Sequence, residues 1–167
     1  MLYKKDKAVF STAQLKMGSG TSGMLVTRVK KQMNDAADPQ TEMAIIDGSP
    51  GIGCPVIASL SGVDMVLIVA EPSLSGISDM ERIVKTARQF GVKMAICVNK
   101  YDTNLNNTRK IEDYCGKESI VFAGTVPFDE NAGKAINRGF SVVDIPCPAQ
   151  QAVEKLFSTT MELLKDK

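Results

Sequence analysis

The sequence predicts an α/β domain, with a mostly parallel β-sheet flanked by helices. Short runs of continuous apolar residues recur along the chain, and longer stretches with apolar residues at helical spacing separate them. The apolar runs occupy residues 43–46, 65–70, 94–98 and 120–123. Runs of this length and composition are typical of strands buried on both faces. Strands that alternate with helices predict right-handed crossovers, and therefore a parallel sheet that binds ligands at the carboxyl ends of its strands.

The stretches between and after these runs predict the helices. Apolar residues follow helical spacing over residues 77–90, more weakly over 108–115, and again over 153–164. Ser78 and Glu81 have the form of a capping box for the first of these helices. Each helix can therefore cover one face of the predicted sheet.

The beginning of the chain is less regular. Residues 8–15 predict a short strand, residues 18–23 a glycine-rich turn, and residues 24–33 a basic helix. The pattern contains no internal repeat, so this part is interpreted as an irregular lead-in to the sheet.

Length and composition bound the number of domains. The chain has 167 residues, of which 44% are hydrophobic, and it can bury one hydrophobic core. We therefore expect a single domain over residues 1–167, in which residues 1–42 are the lead-in and residues 43–167 carry the sheet.

Composition also excludes several functional classes. The 20 basic residues nearly balance the 19 acidic ones, so the net charge of +1 predicts no binding to nucleic acid or to an anionic membrane. The absence of histidine removes histidine metal ligands and Ser-His or Cys-His nucleophiles. The four cysteines have no C-x-x-C spacing, so we expect no iron–sulfur cluster in this chain. No apolar run could span a bilayer and no signal-peptide core is visible, which predicts a cytoplasmic protein.

An aspartate and a glycine-rich loop follow the first predicted strand. Asp47 stands at the carboxyl end of this strand, and Gly51 follows within the loop. A carboxylate in this position can hold the water shell of Mg²⁺ while phosphate oxygens supply further ligands. Gly51 can offer its backbone N–H to a phosphate, because no side chain blocks the approach. The alternative is an ordinary strand-to-helix turn in which Asp47 caps the helix.

Two further loops follow the third and fourth predicted strands. Residues 99–102 read Asn-Lys-Tyr-Asp, the N-K-x-D pattern used to recognise purine bases. Asn99 can hydrogen-bond the base edge, the stem of Lys100 can lie along the ring, and Asp102 could accept from guanine. Asn and Asp are also common helix caps, so a structural role is the alternative. Residues 126–129, Val-Pro-Phe-Asp, form a proline-stiffened turn whose carbonyls could face a base, or which could only end a strand.

The three loops in this order resemble the MinD and ParA type of deviant P-loop ATPases. The resemblance is greatest to the MinD-like subgroup whose members carry an inserted ferredoxin-like domain. Residues 45–56 (IIDGSPGIGCPV) are similar to the switch II segment of that subgroup, and residues 69–76 (VAEPSLSG) to its next strand and loop. Residues 98–102 and 126–129 continue the resemblance, and residues 22–26 (SGMLV) resemble the segment after the inserted domain.

This resemblance, which covers nearly the whole chain, implies the P-loop NTPase fold and roles for the loop residues. Asp47 would be the switch carboxylate that holds Mg²⁺ through water, Gly51 the γ-phosphate sensor, Asn99 the adenine reader and Pro127 part of the adenine wall. The residues expected at the nucleotide are Gly48, Ser49, Pro50, Asn99, Lys100, Asp102, Pro127 and Asp129. Family members usually work as ATP-sandwiched homodimers, and the ferredoxin-bearing ones are thought to couple hydrolysis to iron–sulfur or electron-transfer work. ATP and Mg²⁺ are therefore the implied cofactors, and an iron–sulfur protein is an implied partner.

One part of the family pattern is missing from the sequence. Family members begin with a strand and a lysine-bearing, glycine-rich P-loop, and residues 1–42 contain no such segment. Met24 follows the nearest candidate, residues 18–23, at the place where a Walker A motif has lysine. We therefore expect the chain to lack the P-loop strand and to start just after the inserted domain. Hydrogen bonds to charged groups are each worth roughly 1.5–3 kcal/mol, so without the P-loop we expect weak ATP binding and no useful hydrolysis.

A sheet without its P-loop strand leaves backbone edges and apolar faces uncovered. We therefore expect a homo-oligomer, or a complementary chain that carries the P-loop half. The leading interpretation is the C-terminal part of a MinD-like ATP-binding protein linked to iron–sulfur chemistry, and an ATP hydrolase when completed. A GTPase is the first alternative because of the N-K-x-D pattern. Against it, three residues separate Asp47 from Gly51, whereas the usual GTPase switch has two residues between its aspartate and its glycine. A non-enzymatic subunit-docking module is the second.

Overall fold

The chain forms two compact units. The computed structural model describes residues 1–5, 8–15, 22–49, 51 and 53–166. The N-terminal unit is Met1–Val63 and the C-terminal unit is Asp64–Lys167. The predicted glycine-rich turn at residues 18–23 lies largely outside the described residues. The interpretation of the chain as one domain stays a prediction.

The N-terminal unit contains a hairpin and two helices. Its elements are β1 (Leu2–Lys5), β2 (Ala8–Ser11), α1 (Ser22–Ala36) and α2 (Cys54–Leu60). Strands β1 and β2 pair antiparallel, with Tyr3 opposite Phe10. The strand predicted within residues 8–15 and the helix predicted over residues 24–33 are confirmed.

Helices α1 and α2 pack closely. A Cβ atom placed on Gly23 would lie 3.0 Å from Cβ of Cys54, so glycine permits the close approach of the two helices. The ammonium of Lys30 reaches the end of α2, where burial lowers its pKa. Its acceptors are the carbonyls of Ala58, Ser59 and Ser61, at 3.1, 3.2 and 2.5 Å. The lysine therefore satisfies carbonyls that a helix end leaves without intrahelical partners.

The described part of the N-terminal unit buries few side chains. Its buried residues are Val56, Ser59 and Leu60, all in α2. Tyr3 and Phe10 of the hairpin are more than half exposed. The unit therefore presents apolar surface that the described residues do not cover.

The C-terminal unit is a three-stranded parallel sheet with helices. Its elements are β3 (Met65–Ala70), α3 (Leu74–Gln89), β4 (Lys93–Asn99), α4 (Leu105–Lys117), β5 (Val121–Val126), α5 (Glu130–Asn137) and α6 (Pro148–Lys165). Short 3₁₀ turns occupy Tyr101–Thr103 and Val142–Asp144. The strand order is β3-β4-β5, and both pairs are parallel. The predicted parallel α/β fold is therefore confirmed. Among the described helices, none is both long and apolar enough to cross a membrane.

Strand β4 is the centre of the core. The side chains of Ala95, Ile96, Cys97 and Val98 are fully buried. Ile96 and Val98 pack with residues of α3 and α4, whereas Ala95 and Cys97 pack with residues of α6. Helices thus cover both faces of the sheet, as predicted. Burial raises the pKa of the Cys97 thiol to about 11, which keeps it neutral at physiological pH.

The predicted strand at residues 43–46 is wrong. The structure has no regular element in residues 41–49, and Ile45 is 76% exposed. A strand exists only where a neighbour pairs with its N–H and C=O groups. Within the described ranges no strand pairs with this segment, so its apolar composition does not produce one.

The predicted capping box is also wrong. Helix α3 begins earlier, at Leu74, and Ser73 caps it by accepting a hydrogen bond from the N–H of Gly76 at 2.9 Å. Ser78 and Glu81 lie inside the helix. Ser73 caps the helix instead of Ser78, because the chain turns from β3 almost directly into α3 and so places Ser73 at the start of the helix.

The burial of β4 predicts a large difference between two identical substitutions. Val98→Ala removes buried methyl groups and leaves a cavity, so we expect it to lower the free energy of unfolding by about 2 kcal/mol or more. Val69 on the adjacent strand is 60% exposed, and Val69→Ala should cost less than about 1 kcal/mol. Urea unfolding of both variants measures the difference. Equal costs would contradict the described core.

Candidate functional site

Three loops share one edge of the sheet in the C-terminal unit. They comprise residues 71–73, 100–104 and 127–129, which follow β3, β4 and β5. The parallel register places Asn99, the last residue of β4, beside Val126, the last residue of β5. This is the edge at which parallel α/β sheets bind ligands.

Lys100 turns the chain sharply at the end of β4. Its backbone is left-handed, with φ 54° and ψ 41°. Such values are uncommon for residues other than glycine. The N–H and the hydroxyl of Thr103 both donate to the carbonyl of Lys100, at 3.0 and 2.8 Å. The hydroxyl of Thr108 donates to the carbonyl of Tyr101 at 2.8 Å. Hydrogen bonds therefore hold the backbone carbonyls of both Lys100 and Tyr101, the first two residues of the loop.

An ion pair links the loops after β3 and β4. The Nζ atom of Lys100 lies 2.7 Å from Oε1 of Glu71. Both side chains are about half exposed, so the pair contributes at most about 1 kcal/mol to stability, and its main effect is to orient the lysine. The loop that carries Glu71 is itself held in place. The buried side-chain amide of Asn107 donates to the carbonyl of Pro72 at 3.1 Å, and any side chain at Gly76 would collide with the carbonyl of Glu71.

A carboxylate links the loops after β4 and β5. Oδ1 of Asp102 accepts a hydrogen bond from the N–H of Phe128 at 2.8 Å. Phe128 follows Pro127 and is 54% exposed. Asp102 is the residue that the sequence predicts could accept from guanine. One of its carboxylate oxygens therefore already accepts a hydrogen bond from within the protein.

Asp129 caps helix α5 and also contacts the start of α6. Its Oδ1 accepts from the N–H of Asn131 at 2.9 Å, and its Oδ2 accepts from the N–H of Ala149 at 3.3 Å. The hydrogen bond from Asn131 is the largest of the effects that lower the pKa of Asp129. The structure therefore gives Asp129 a structural role, and its contact with a nucleotide stays a prediction.

A second group of predicted site residues lies in the N-terminal unit. Asp47, Gly48 and Ser49 have no regular secondary structure, and Asp47 is exposed. Gly51 has a φ of 91°, which favours glycine, and apart from its chain neighbours no described residue has an atom within 4 Å of a Cβ placed there. Pro50 is outside the described residues. No cluster of three or more potential metal ligands occurs in the part of the chain that the structure describes. A single exposed carboxylate at Asp47 fits an Mg²⁺ ion that takes its other ligands from water and phosphate.

The structure brings together the predicted residues at the carboxyl ends of β4 and β5. These are Asn99, Lys100, Asp102, Pro127 and Asp129. The residues of the switch-like loop belong to the other unit. Sequence reasoning missed Glu71 and Phe128 as members of the site. Their position within two residues of a strand's carboxyl end was the signal that could have found them.

Comparison with curated proteins gives relatives of low identity. No protein-family model matches the chain. The chain is 29% identical over 152 residues to the uncharacterized protein MJ0578 of Methanocaldococcus jannaschii, which covers 90% of this chain and 50% of that protein. It is 25% identical over 150 residues to an iron–sulfur cluster carrier protein of Methanococcus maripaludis, covering 82% and 52%. An ATP-binding protein of M. jannaschii, MJ0823, is 29% identical over 125 residues, covering 73% and 47%. The chain spans about half the length of the curated relatives it matches.

Solved structures with the same fold are MinD and ParA ATPases. The MinD cell division protein of Aquifex aeolicus superposes with a TM-score of 0.67 at 20% identity, covering 84% of this chain and 61% of that one. A ParA family ATPase from Chlorobium tepidum superposes with a TM-score of 0.52 at 21% identity, covering 66% and 46%. The predicted resemblance is confirmed: the chain has the α/β fold of the MinD and ParA ATPases.

The lowered pKa of Asp129 predicts a pH dependence. The carboxylate stabilises the fold above its unfolded-state pKa, near 3.8, and this stabilisation is lost as the pH falls through the lower folded-state value. We expect Asp129→Asn to flatten the pH dependence of the free energy of unfolding below about pH 4. Urea unfolding between pH 5 and pH 3 measures the slope. Asn131→Ala is the control: it keeps both the Asp129 carboxylate and the backbone N–H that donates to it, and should keep the wild-type slope. An unchanged slope in Asp129→Asn would show that this carboxylate does not cause the pH dependence.

Proposed function

We propose that this chain is the switch-bearing and base-recognising part of a MinD-like ATP-binding protein, which hydrolyses ATP only when completed by a phosphate grip that this sequence does not contain. The observation that carries the proposal is the convergence of Asn99, Lys100 and Pro127 at the carboxyl edge of a sheet with the MinD fold. Asn99 has the donor and acceptor needed at a purine edge, and the Lys100 stem can lie along the ring. Pro127 would form part of the wall beside the base.

Adenine is the base that the proposal favours. A relative of this chain is described as ATP-binding. Asp102, on which guanine recognition would depend, already accepts a hydrogen bond from Phe128. The GTPase alternative rests on the N-K-x-D pattern alone, and so is the weaker one.

The switch-like loop is assigned to the phosphate end of the nucleotide. Asp47 would hold the water shell of Mg²⁺, and Gly51 would donate its N–H to the γ-phosphate. The positive φ of Gly51 supports this assignment, as does the lack of close contacts from described residues other than its chain neighbours, because a glycine without a side chain lets a phosphate approach the backbone amide. Mg²⁺ would neutralise charge on the phosphate oxygens when bound.

The phosphate grip is the part that the proposal assigns to a segment outside this sequence. The sequence has no lysine-bearing, glycine-rich loop, and the chain matches only about half of each relative. The exposed Tyr3 and Phe10, and Val69 on the strand β3, are apolar groups that a partner could cover. A homo-oligomer or a complementary P-loop chain would cover these groups, but a second copy of this sequence brings no P-loop and so would not supply the phosphate grip.

The relatives also suggest the pathway that the complete assembly serves. One relative is described as an iron–sulfur cluster carrier protein. We therefore assign the assembly to iron–sulfur or electron-transfer work in the cytoplasm, with an iron–sulfur protein as its partner. A docking module without catalysis is the second candidate, and the uncovered apolar surface of the N-terminal unit favours it.

Completion of the chain tests the proposal. The half of MJ0823 that this chain does not match is joined to it, and ATP hydrolysis is compared between the chain and the chimera. We expect hydrolysis only in the chimera, with a loss of about a hundredfold or more in Asp47→Asn, because the switch carboxylate holds Mg²⁺. Asp38→Asn, in the same unit, is the control and should retain activity. A folded chimera that does not bind Mg-ATP would refute the nucleotide proposal and favour the docking module.

A further inference from the structure

The hydrogen bond between Asp102 and Phe128 joins residues that are 26 positions apart in the sequence. It connects the N-K-x-D loop to the loop that follows β5. We infer that Asp102 is a positioning residue: its carboxylate holds the Phe128 amide and so presents the Phe128 ring to a purine base, instead of reading the base itself. This inference rests on the proposed function, because it concerns the same base site.

The carboxylate is held where it can perform this task. The left-handed backbone of Lys100 reverses the chain, and the two hydrogen bonds from Thr103 to the Lys100 carbonyl lock the turn that contains Asp102. An acceptor fixed in this way loses little conformational entropy when it binds the Phe128 N–H. The contact is therefore a built-in clamp between two loops.

The loop that carries Phe128 is restrained on both sides of the aromatic residue. Pro127 limits the backbone before it, because its ring fixes φ. Asp129 anchors the backbone after it, through hydrogen bonds from Asn131 and Ala149. Phe128 is nevertheless 54% exposed, so a rigid backbone presents an uncovered aromatic side chain at the ligand edge of the sheet. Such a side chain offers a face on which a purine base can stack.

The hydrogen-bonding groups of adenine and guanine distinguish two roles for Asp102: positioning Phe128, or hydrogen-bonding the base itself. Guanine offers N1–H and a 2-amino group, which a carboxylate with both oxygens available can accept side by side. Adenine offers neither donor at that edge. Oδ1 of Asp102 already accepts from the Phe128 amide, and this contact fixes the carboxylate towards the loop after β5, so the arrangement suits a base that does not need a bidentate acceptor.

The first arm of the test needs no ligand. Amide hydrogen exchange of Phe128 is compared in the wild-type chain, Asp102→Asn and Asp102→Ala. The asparagine retains an oxygen acceptor, so exchange should change by less than about threefold, whereas the alanine variant should exchange about tenfold faster. Asp113→Ala, an exposed aspartate of α4, is the control. Equal exchange in Asp102→Ala and the wild type would overturn the clamp.

The second arm uses the free nucleosides adenosine, guanosine and xanthosine, so that it does not depend on a phosphate site. We expect Asp102→Ala to weaken adenosine binding about tenfold and Asp102→Asn to change it by less than about threefold. If Asp102 instead reads guanine, Asp102→Asn will lose guanosine and gain xanthosine, which carries oxygen in place of the 2-amino group; that result would overturn the inference. Absence of binding by all three nucleosides would overturn the base site itself, while the exchange data would still report on the clamp.

Discussion

The complete burial of β4 is the constraint on which the C-terminal unit depends. Residues 95–98 have no contact with water, so this strand can carry no functional polar group along its buried length. After this buried stretch the next side chain is the polar Asn99, where the strand ends. Because β3 and β5 pair with β4 in parallel, their ends lie at the same edge. The core thus determines where chemistry can occur in this unit.

The loops at that edge are fixed mainly by hydrogen bonds between side chains and the backbone. Asn107 holds the Pro72 carbonyl, Thr103 holds the Lys100 carbonyl, and Asp102 holds the Phe128 amide. These contacts leave the exposed surfaces of Lys100 and Phe128 available to a ligand. The half-exposed ion pair between Lys100 and Glu71 is energetically weak, and is better understood as a way of directing the lysine.

The sequence predicted the C-terminal unit well because its signals are local and repeated. Apolar runs located β3, β4 and β5, and helical spacing located α3, α4 and α6. Residues 43–46 carry the same apolar signal, but a strand also requires a pairing neighbour, and none pairs with them in the described residues. The prediction of a capping box at Ser78 was wrong because several serines near the start of α3 can act as its N-cap, and Ser73, which is nearest to β3, is the one that does.

The candidate site was only partly predictable. Its motifs and their order identified the edge and residues such as Asn99 and Asp102. The partners of those residues could not be predicted, because the contacts of Lys100 with Glu71 and of Asp102 with Phe128 join distant parts of the chain through the fold. Single-sequence patterns contain no information on such pairs. The same limit applies to the group around Asp47, whose predicted strand did not form.

Under the proposed function, this chain recognises the base of a nucleotide but does not grip its phosphates. Calorimetric titration of the chain with adenosine and with Mg-ATP tests it directly, because the two ligands share the base and differ in the phosphates. We expect Mg-ATP to bind within about tenfold of adenosine, since no P-loop supplies charge-assisted hydrogen bonds. Binding of Mg-ATP that is tighter than that of adenosine by about a thousandfold would contradict the claim, because a phosphate grip within this chain would then be required.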